Sequence, residues 1–401
     1  MAMTSLTLPK IALPKIEGGL ETYTVRNAPL PAPASGAAPH FNRIAYAAVH
    51  VVADPLADND PWLDIAIDWD KTIAFRHYLW DLGFGVAEAM DTAQRGMGLD
   101  WANARTLIRH SLEAARGRPG ALIAVGVGTD QLAPSPEVTL DDVIRAYEEQ
   151  IETIEAMGGR IILMASRALA KAARGPEDYA RVYGRILAQV KEPVILHWLG
   201  EMFDPALEGY WGSSDHDAAM TTCLDVIASH ADKVDGIKVS LLSKEKEIRM
   251  RRLMAAGNTT SAVRMYTGDD FNYAELIAGD AQGYSHALLG IFDAIAPAAS
   301  AGLARLGAGD EAGFREILAP TVPLSRYIFK APTRFYKTGV VFLAYLNGLQ
   351  DHFTMLGGQQ SARSVVHLAE LFRLADAARC LKDPELAVAR MRRVLAVAGV
   401  D

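Results

Sequence analysis

Eight times between residues 43 and 289 the chain repeats one unit, a short apolar run of β type followed by a longer stretch with apolar residues at helical spacing. The runs are RIAYAAVHVV (43–52), FGVAEAM (84–90), ALIAVGV (121–127), RIILMAS (160–166), PVILHWL (193–199), DGIKVSL (235–241), AVRMYTG (262–268) and GYSHALL (283–289). Between the third and fourth, Leu140, Val143, Ile144, Tyr147, Ile151 and Ile154 fall on one helical face, with Thr139 as the expected N-cap and Gly158 as the expected stop. The stretch 176–190 has the same pattern and places a proline in its first turn. Eight such alternations predict a (β/α)8 barrel. A doubly wound parallel sheet is the competing arrangement, but no GxGxxG follows any run, which weakens its dinucleotide-binding form.

Flanking segments divide the chain into three expected parts. Residues 1–42 hold two LPKI copies and a Pro- and Ala-rich stretch, and read as an arm and linker. Residues 43–307 form the barrel, and residues 308–401 follow a helical pattern throughout. A helical tail cannot bury its apolar faces alone, so it should pack on the barrel or on another subunit. The formal net charge of −8 argues against nucleic-acid and anionic-membrane partners, leaving a small molecule or a protein. Cys223 and Cys380 are the only cysteines and lack zinc-ligand spacing, which fits a reducing cytoplasm. The N-terminus does not read as a secretory signal, and no apolar stretch is long enough to suggest a membrane span.

One charge stands out inside the repeat. Side chains alternate along a strand, so in DGIKVSL the residues Ile237, Val239 and Leu241 face the helices, and Lys238 faces the barrel interior near the strand's C-terminal end. Barrel enzymes build their active sites at that end. Desolvation lowers an amine's pKa and leaves a fraction free to attack a carbonyl and form a Schiff base; pairing with a barrel carboxylate for structure alone is the other reading.

DGIK on the sixth strand, YTGDD after the seventh and ASAGLARLGAGDEAGFREIL beyond the eighth resemble the dihydrodipicolinate synthase and N-acetylneuraminate lyase superfamily over roughly residues 43–318. The resemblance implies that Lys238 forms the Schiff base, and marks the chain as a divergent branch of class I aldolase type. Three motifs depart from the superfamily pattern. Its carboxylate-binding GTTGE turn is replaced by GVAEAMDTAQRG (85–96), its YYN motif by MASRAL (164–169), and the position of its fifth-strand tyrosine falls at about His197. The first change puts plain pyruvate in doubt. His197 is then the expected proton shuttle, because an imidazole near neutral pKa can serve as general acid or base, unless it is a core histidine bonded to a backbone carbonyl.

Other residues at expected strand ends complete a candidate substrate site: Glu88, Asp91, Arg167, Glu201, Asp269, Asp270 and His286, with Ser285 beside the last. Arg167 suits a carboxylate or phosphate. The aspartate pair could instead cap the next helix. The long segment GEMFDPALEGYWG (200–212) reads as a lid or substrate wall, with Trp198, Phe203, Tyr210 and Trp211 either stacking on a sugar or packing the rim. The expected activity is a lyase, aldolase or dehydratase, acting on a 2-oxo acid or keto-sugar derivative without cofactor or metal. A divalent-metal sugar isomerase or epimerase using Glu88, His197, Asp269 and His286 is the second reading, and a non-catalytic ligand-binding barrel the third. A homo-oligomer, dimer or tetramer, is expected from the resemblance and the extensions.

Overall fold

The computed structural model describes residues 8–25, 30 and 39–400. Most of the expected linker lies outside the described residues. Two short strands, β1 (Lys10–Pro14) and β2 (Leu20–Thr24), form an antiparallel hairpin at the start. Eight parallel strands then close a barrel: β3 (Ala45–Ala48), β4 (Gly85–Glu88), β5 (Ile123–Val127), β6 (Ile161–Leu163), β7 (Val194–Leu199), β8 (Val234–Ser240), β9 (Arg264–Thr267) and β10 (His286–Leu289). Each pairs with its neighbours in sequence, and β10 closes on β3 through Ala287 and Ala45, so the fold is a (β/α)8 barrel. The doubly wound alternative is ruled out by that closure.

The local signals in the sequence are realised in these elements. Thr139 caps the helix Leu140–Ala156 in a capping box with Asp142, and Gly158 adopts a left-handed φ of 74° just beyond its end. Pro176 opens the helix Pro176–Leu187, where its missing N–H costs nothing.

Strand alternation divides the interior into two layers. Tyr46, Ala87, Ala124, Ile162, Ile195 and Leu288 fill the barrel, while the larger core lies between strands and helices. The β8 register sets Lys238 opposite His197 on β7, both on the inward face, with Ser240 opposite Leu199 one step further along.

Beyond the barrel the chain is helical, and it packs on the barrel. The helix Tyr336–Leu346 is buried at every residue, lying against the short helix Ile291–Ala294 that follows β10. The hairpin in turn lies on the last two helices, Val365–Ala377 and Pro384–Val397: Arg373 binds Glu21 and the carbonyl of Pro14, and Arg392 binds the carbonyl of Lys10. Among the described residues no helix is long and apolar enough to cross a membrane.

Candidate active site

The C-terminal ends of the strands surround two adjoining cavities. The smaller, about 10 Å³, lies at Lys238 and is walled by Asp91, Thr92, Phe203, Asp270 and Tyr336. That is room for about one water molecule. The larger, about 180 Å³, is lined by Thr129, Asp130, Arg167, His197 and Asp204 among others. Asp91 and Leu199 border both cavities, so the two adjoin at these side chains.

Lys238 is 7% exposed, and burial pushes its ammonium below the ordinary lysine value against the opposing pull of Asp270 and Asp91. Asp270 lies in the same cavity wall; its Oδ1 accepts the Ile291 N–H at 2.8 Å, and burial pushes its carboxyl up to about 7. The Asp91 side chain has no hydrogen-bond or ion-pair partner among the described residues. His197 is buried, with Nε2 3.2 Å from Ser240 Oγ. Burial first, and Lys238 beside it, hold its imidazole well below the ordinary histidine range, so it is neutral at physiological pH.

Arg167 follows β6 and pairs with Asp204 of the 200–212 segment, whose Phe203 reaches the smaller cavity. The other aromatic residues of that region pack. Trp198 and Trp211 have ring centroids 6.4 Å apart, and Tyr210 lies 4.9 Å from Tyr179 by the same measure.

Five residues expected at the site are placed elsewhere. Glu88 points to the outer face of β4, where Arg76 and Ser111 bind it under two helices. His286 is the first residue of β10 and therefore lies at the opposite end of the barrel, where its Nδ1 accepts the N–H of Ile44 at 3.0 Å. Asp269 accepts the N–H groups of Phe271 and Asn272, the turn-capping role. Glu201 pairs with His216 at 3.1 Å, and lines neither cavity. Ser285 binds Glu247. The metal-ligand set Glu88, His197, Asp269 and His286 therefore does not converge, and no group of three or more His, Cys, Asp or Glu residues among the described residues could hold a metal ion.

Two residues from the C-terminal extension complete the region. Tyr336 Oη is 2.8 Å from Thr92 Oγ1, and its ring stacks on Phe329 with centroids 4.3 Å apart. Lys337, 5% exposed, donates to the Arg334 carbonyl at 3.1 Å. The available signal was the run TGVVFLAYL, apolar on every side, which marks a helix buried all round.

A closed eight-stranded barrel with a buried lysine at the mouth end of its sixth strand defines the class. Solved structures share the fold. Dihydrodipicolinate synthase from Oceanobacillus iheyensis is 15% identical with a TM-score of 0.59, over 82% of this chain and 96% of its own. The enzyme from Bacillus clausii is 13% identical with a TM-score of 0.60, over the same shares. A prophage protein of the dihydrodipicolinic acid synthase family from E. coli K12, solved in complex with pyruvate, is 15% identical with a TM-score of 0.58, over 90% of this chain and 99% of its own. The chain thus shares its fold with the dihydrodipicolinate synthases, the fold that the resemblance in its sequence implied. The chain belongs to the family described as "Protein of unknown function (DUF993)", whose profile matches residues 11–400. No curated protein matches the sequence.

Proposed function

We propose that this protein is a Schiff-base-forming lyase of class I aldolase type, acting on a small 2-oxo acid or keto-sugar derivative with Lys238 as nucleophile. The observation that carries the reading is the buried Lys238 amine, destabilised as an ammonium and placed beside a polar cavity. The shared fold, with a pyruvate complex among its examples, supports it. The neutral amine attacks the carbonyl carbon, and the carbinolamine loses water to give an iminium. That cation accepts the electron pair of a breaking neighbouring bond and becomes an enamine; protonation at carbon restores an iminium, and its hydrolysis returns the amine and releases the carbonyl product.

Proton transfer is assigned to Asp91 and Tyr336 rather than to His197. Asp91 is a carboxylate without a hydrogen-bond or ion-pair partner among the described residues, placed between the amine and the larger cavity. Tyr336 brings a hydroxyl already coupled to Thr92, and burial first and Asp91 second hold its proton on well above the ordinary tyrosine value, so it is protonated and has a hydrogen to offer a developing negative charge. His197, neutral and tied to Ser240, serves as a fixed hydrogen-bonding wall. Tyr336→Phe is expected to reduce kcat about a hundredfold with little change in KM, the usual size of a lost general acid. Equal kinetics for the two proteins would remove Tyr336 from the mechanism.

The direct test is mass spectrometry of intact protein incubated with a panel of 2-oxo acids and keto sugars, with and without borohydride. A reduced adduct that maps to Lys238 is expected, and its mass identifies the carbonyl compound. Turnover of a panel member with no trapped adduct would rule the reading out.

A further inference from the structure

We infer that the larger cavity contains an oxyanion site, in which the Nη1/Nη2 edge of Arg167 binds a carboxylate or phosphate and the Lys337 ammonium behind it adds a second positive charge. The assignment of that oxyanion to the substrate's end remote from its carbonyl rests on the Schiff-base reading; the site itself does not.

The two arginines in the cavity wall differ in what they have left to donate. Arg95 is saturated: Nε and Nη2 bind Asp130, Nη2 also binds Gln150, and Nη1 binds the carbonyls of Ala89 and Gly126. All five of its N–H groups are used, so it holds the wall and has nothing to offer a ligand. Arg167 binds Asp204 through Nε alone, and its Nη1 and Nη2 have no partner among the described residues. Two parallel N–H bonds from one guanidinium edge match a carboxylate or phosphate edge.

The second cation comes from the helix Tyr336–Leu346. Lys337 has three N–H groups; one binds the Arg334 carbonyl, and its further neighbours are the Met97 sulfur at 3.7 Å, a weak acceptor, and the Tyr336 ring, whose centroid is 4.5 Å away. Burial pushes its ammonium down to about 8, with Asp91 opposing and Arg167 adding to the fall. The turn at Gly96 and Met97 brings the two cations to one corner. Gly96 has a φ of +71°, and a Cβ there would lie 2.6 Å from Arg167 Nη1, so the absence of a side chain lets the turn press against the guanidinium while Met97 touches Lys337. Asp204 and Asp91 balance the two charges, but Asp204 occupies only the Nε side of the fork.

The geometry also sets the ligand's polarity. Arg167 lines only the larger cavity and Lys238 only the smaller, and they meet at Asp91 and Leu199. A substrate whose carbonyl reaches Lys238 therefore directs its other end to Arg167, and a short acidic or phosphorylated chain fits while an uncharged one leaves the fork unfilled.

The test titrates the folded protein with inorganic phosphate and, separately, with malonate, by calorimetry, in wild type, Arg167→Ala, Lys337→Met and the distant control Arg160→Ala. One phosphate or one malonate per chain is expected, and the preferred probe tells phosphate from carboxylate. Arg167→Ala should weaken binding about tenfold or more, the size of a lost charge-assisted pair. Lys337→Met should weaken it about threefold through charge alone, and Arg160→Ala should leave it unchanged. Unfolding curves matching wild type confirm that the variants are folded. The inference is overturned if neither probe binds wild type, or if Arg167→Ala binds as wild type does. Borohydride trapping separates this from the catalytic reading: anion binding that depends on Arg167, with no carbonyl compound captured by Lys238, would remove the Schiff-base assignment and leave the oxyanion site standing.

Discussion

Lys238→Met is expected to lose at least about a thousandfold in turnover, because among the described residues no other lysine lines either cavity to supply the covalent electron sink, and in the same protein to gain stability. The two effects have one cause. The ammonium sits where desolvation outweighs the pull of Asp270 and Asp91, which is why its pKa lies below 10.5. Methionine has a similar length and no charge to desolvate, so the folded state should gain about 1–2 kcal/mol. The sign in pH follows from linkage. Between the lowered folded pKa and 10.5 the unfolded chain binds more protons than the folded one, so wild-type stability rises with pH through that window. The advantage of the methionine variant is therefore full below the folded pKa of Lys238 and shrinks as pH climbs towards 10.5. Urea unfolding at neutral pH and near pH 10, beside a turnover assay, measures both halves. A variant that loses activity and stability together would make Lys238 a structural lysine.

The barrel and its lysine were legible because period-two alternation and helical periodicity are local patterns. In DGIKVSL the apolar Ile237, Val239 and Leu241 identify the outer face, which leaves Lys238 inside. GVAE carries no such contrast. All four residues of β4 are buried, one face by the barrel and the other by helices, so the direction of Glu88 could not be read from its neighbours. His286 was misplaced for a different reason. The run 283–289 looks like one strand, but pairing starts only at His286, which moves it to the wrong end of the barrel. Tyr336 and Lys337 belong to a helix far along the chain, and only tertiary packing brings them to the strand ends.

Glu88→Ala is expected to cost about 3–5 kcal/mol, the largest stability loss anticipated for a single side chain here, because it leaves a buried guanidinium without its counter-ion. Arg76 and Glu88 are both fully buried and joined by two bonds, Nε to Oε2 at 2.8 Å and Nη2 to Oε1 at 2.9 Å. Ser111 Oγ donates to the same carboxylate at 2.5 Å, and Arg76 Nη1 binds the carbonyls of His50 and Thr72. The pair therefore ties the helix Trp69–Asp81 and the helix Trp101–Arg116 to the ends of β3 and β4. Glu88 Oε1 also accepts the N–H of Ala89, a non-glycine residue held at a φ of 53° where the chain turns towards Asp91 and Thr92. Loss of the carboxylate should consequently loosen the turn that carries two cavity residues, and lower activity along with stability. The double variant Arg76→Met with Glu88→Leu separates the causes, since it removes the orphaned charge and keeps apolar volume. It should recover much of the lost stability in urea unfolding, yet recover little activity, because nothing then holds the Ala89 N–H. A Glu88→Ala protein within 1 kcal/mol of wild type would mean that water reaches Arg76, and that the ends of β3 and β4 are held by packing rather than by this pair.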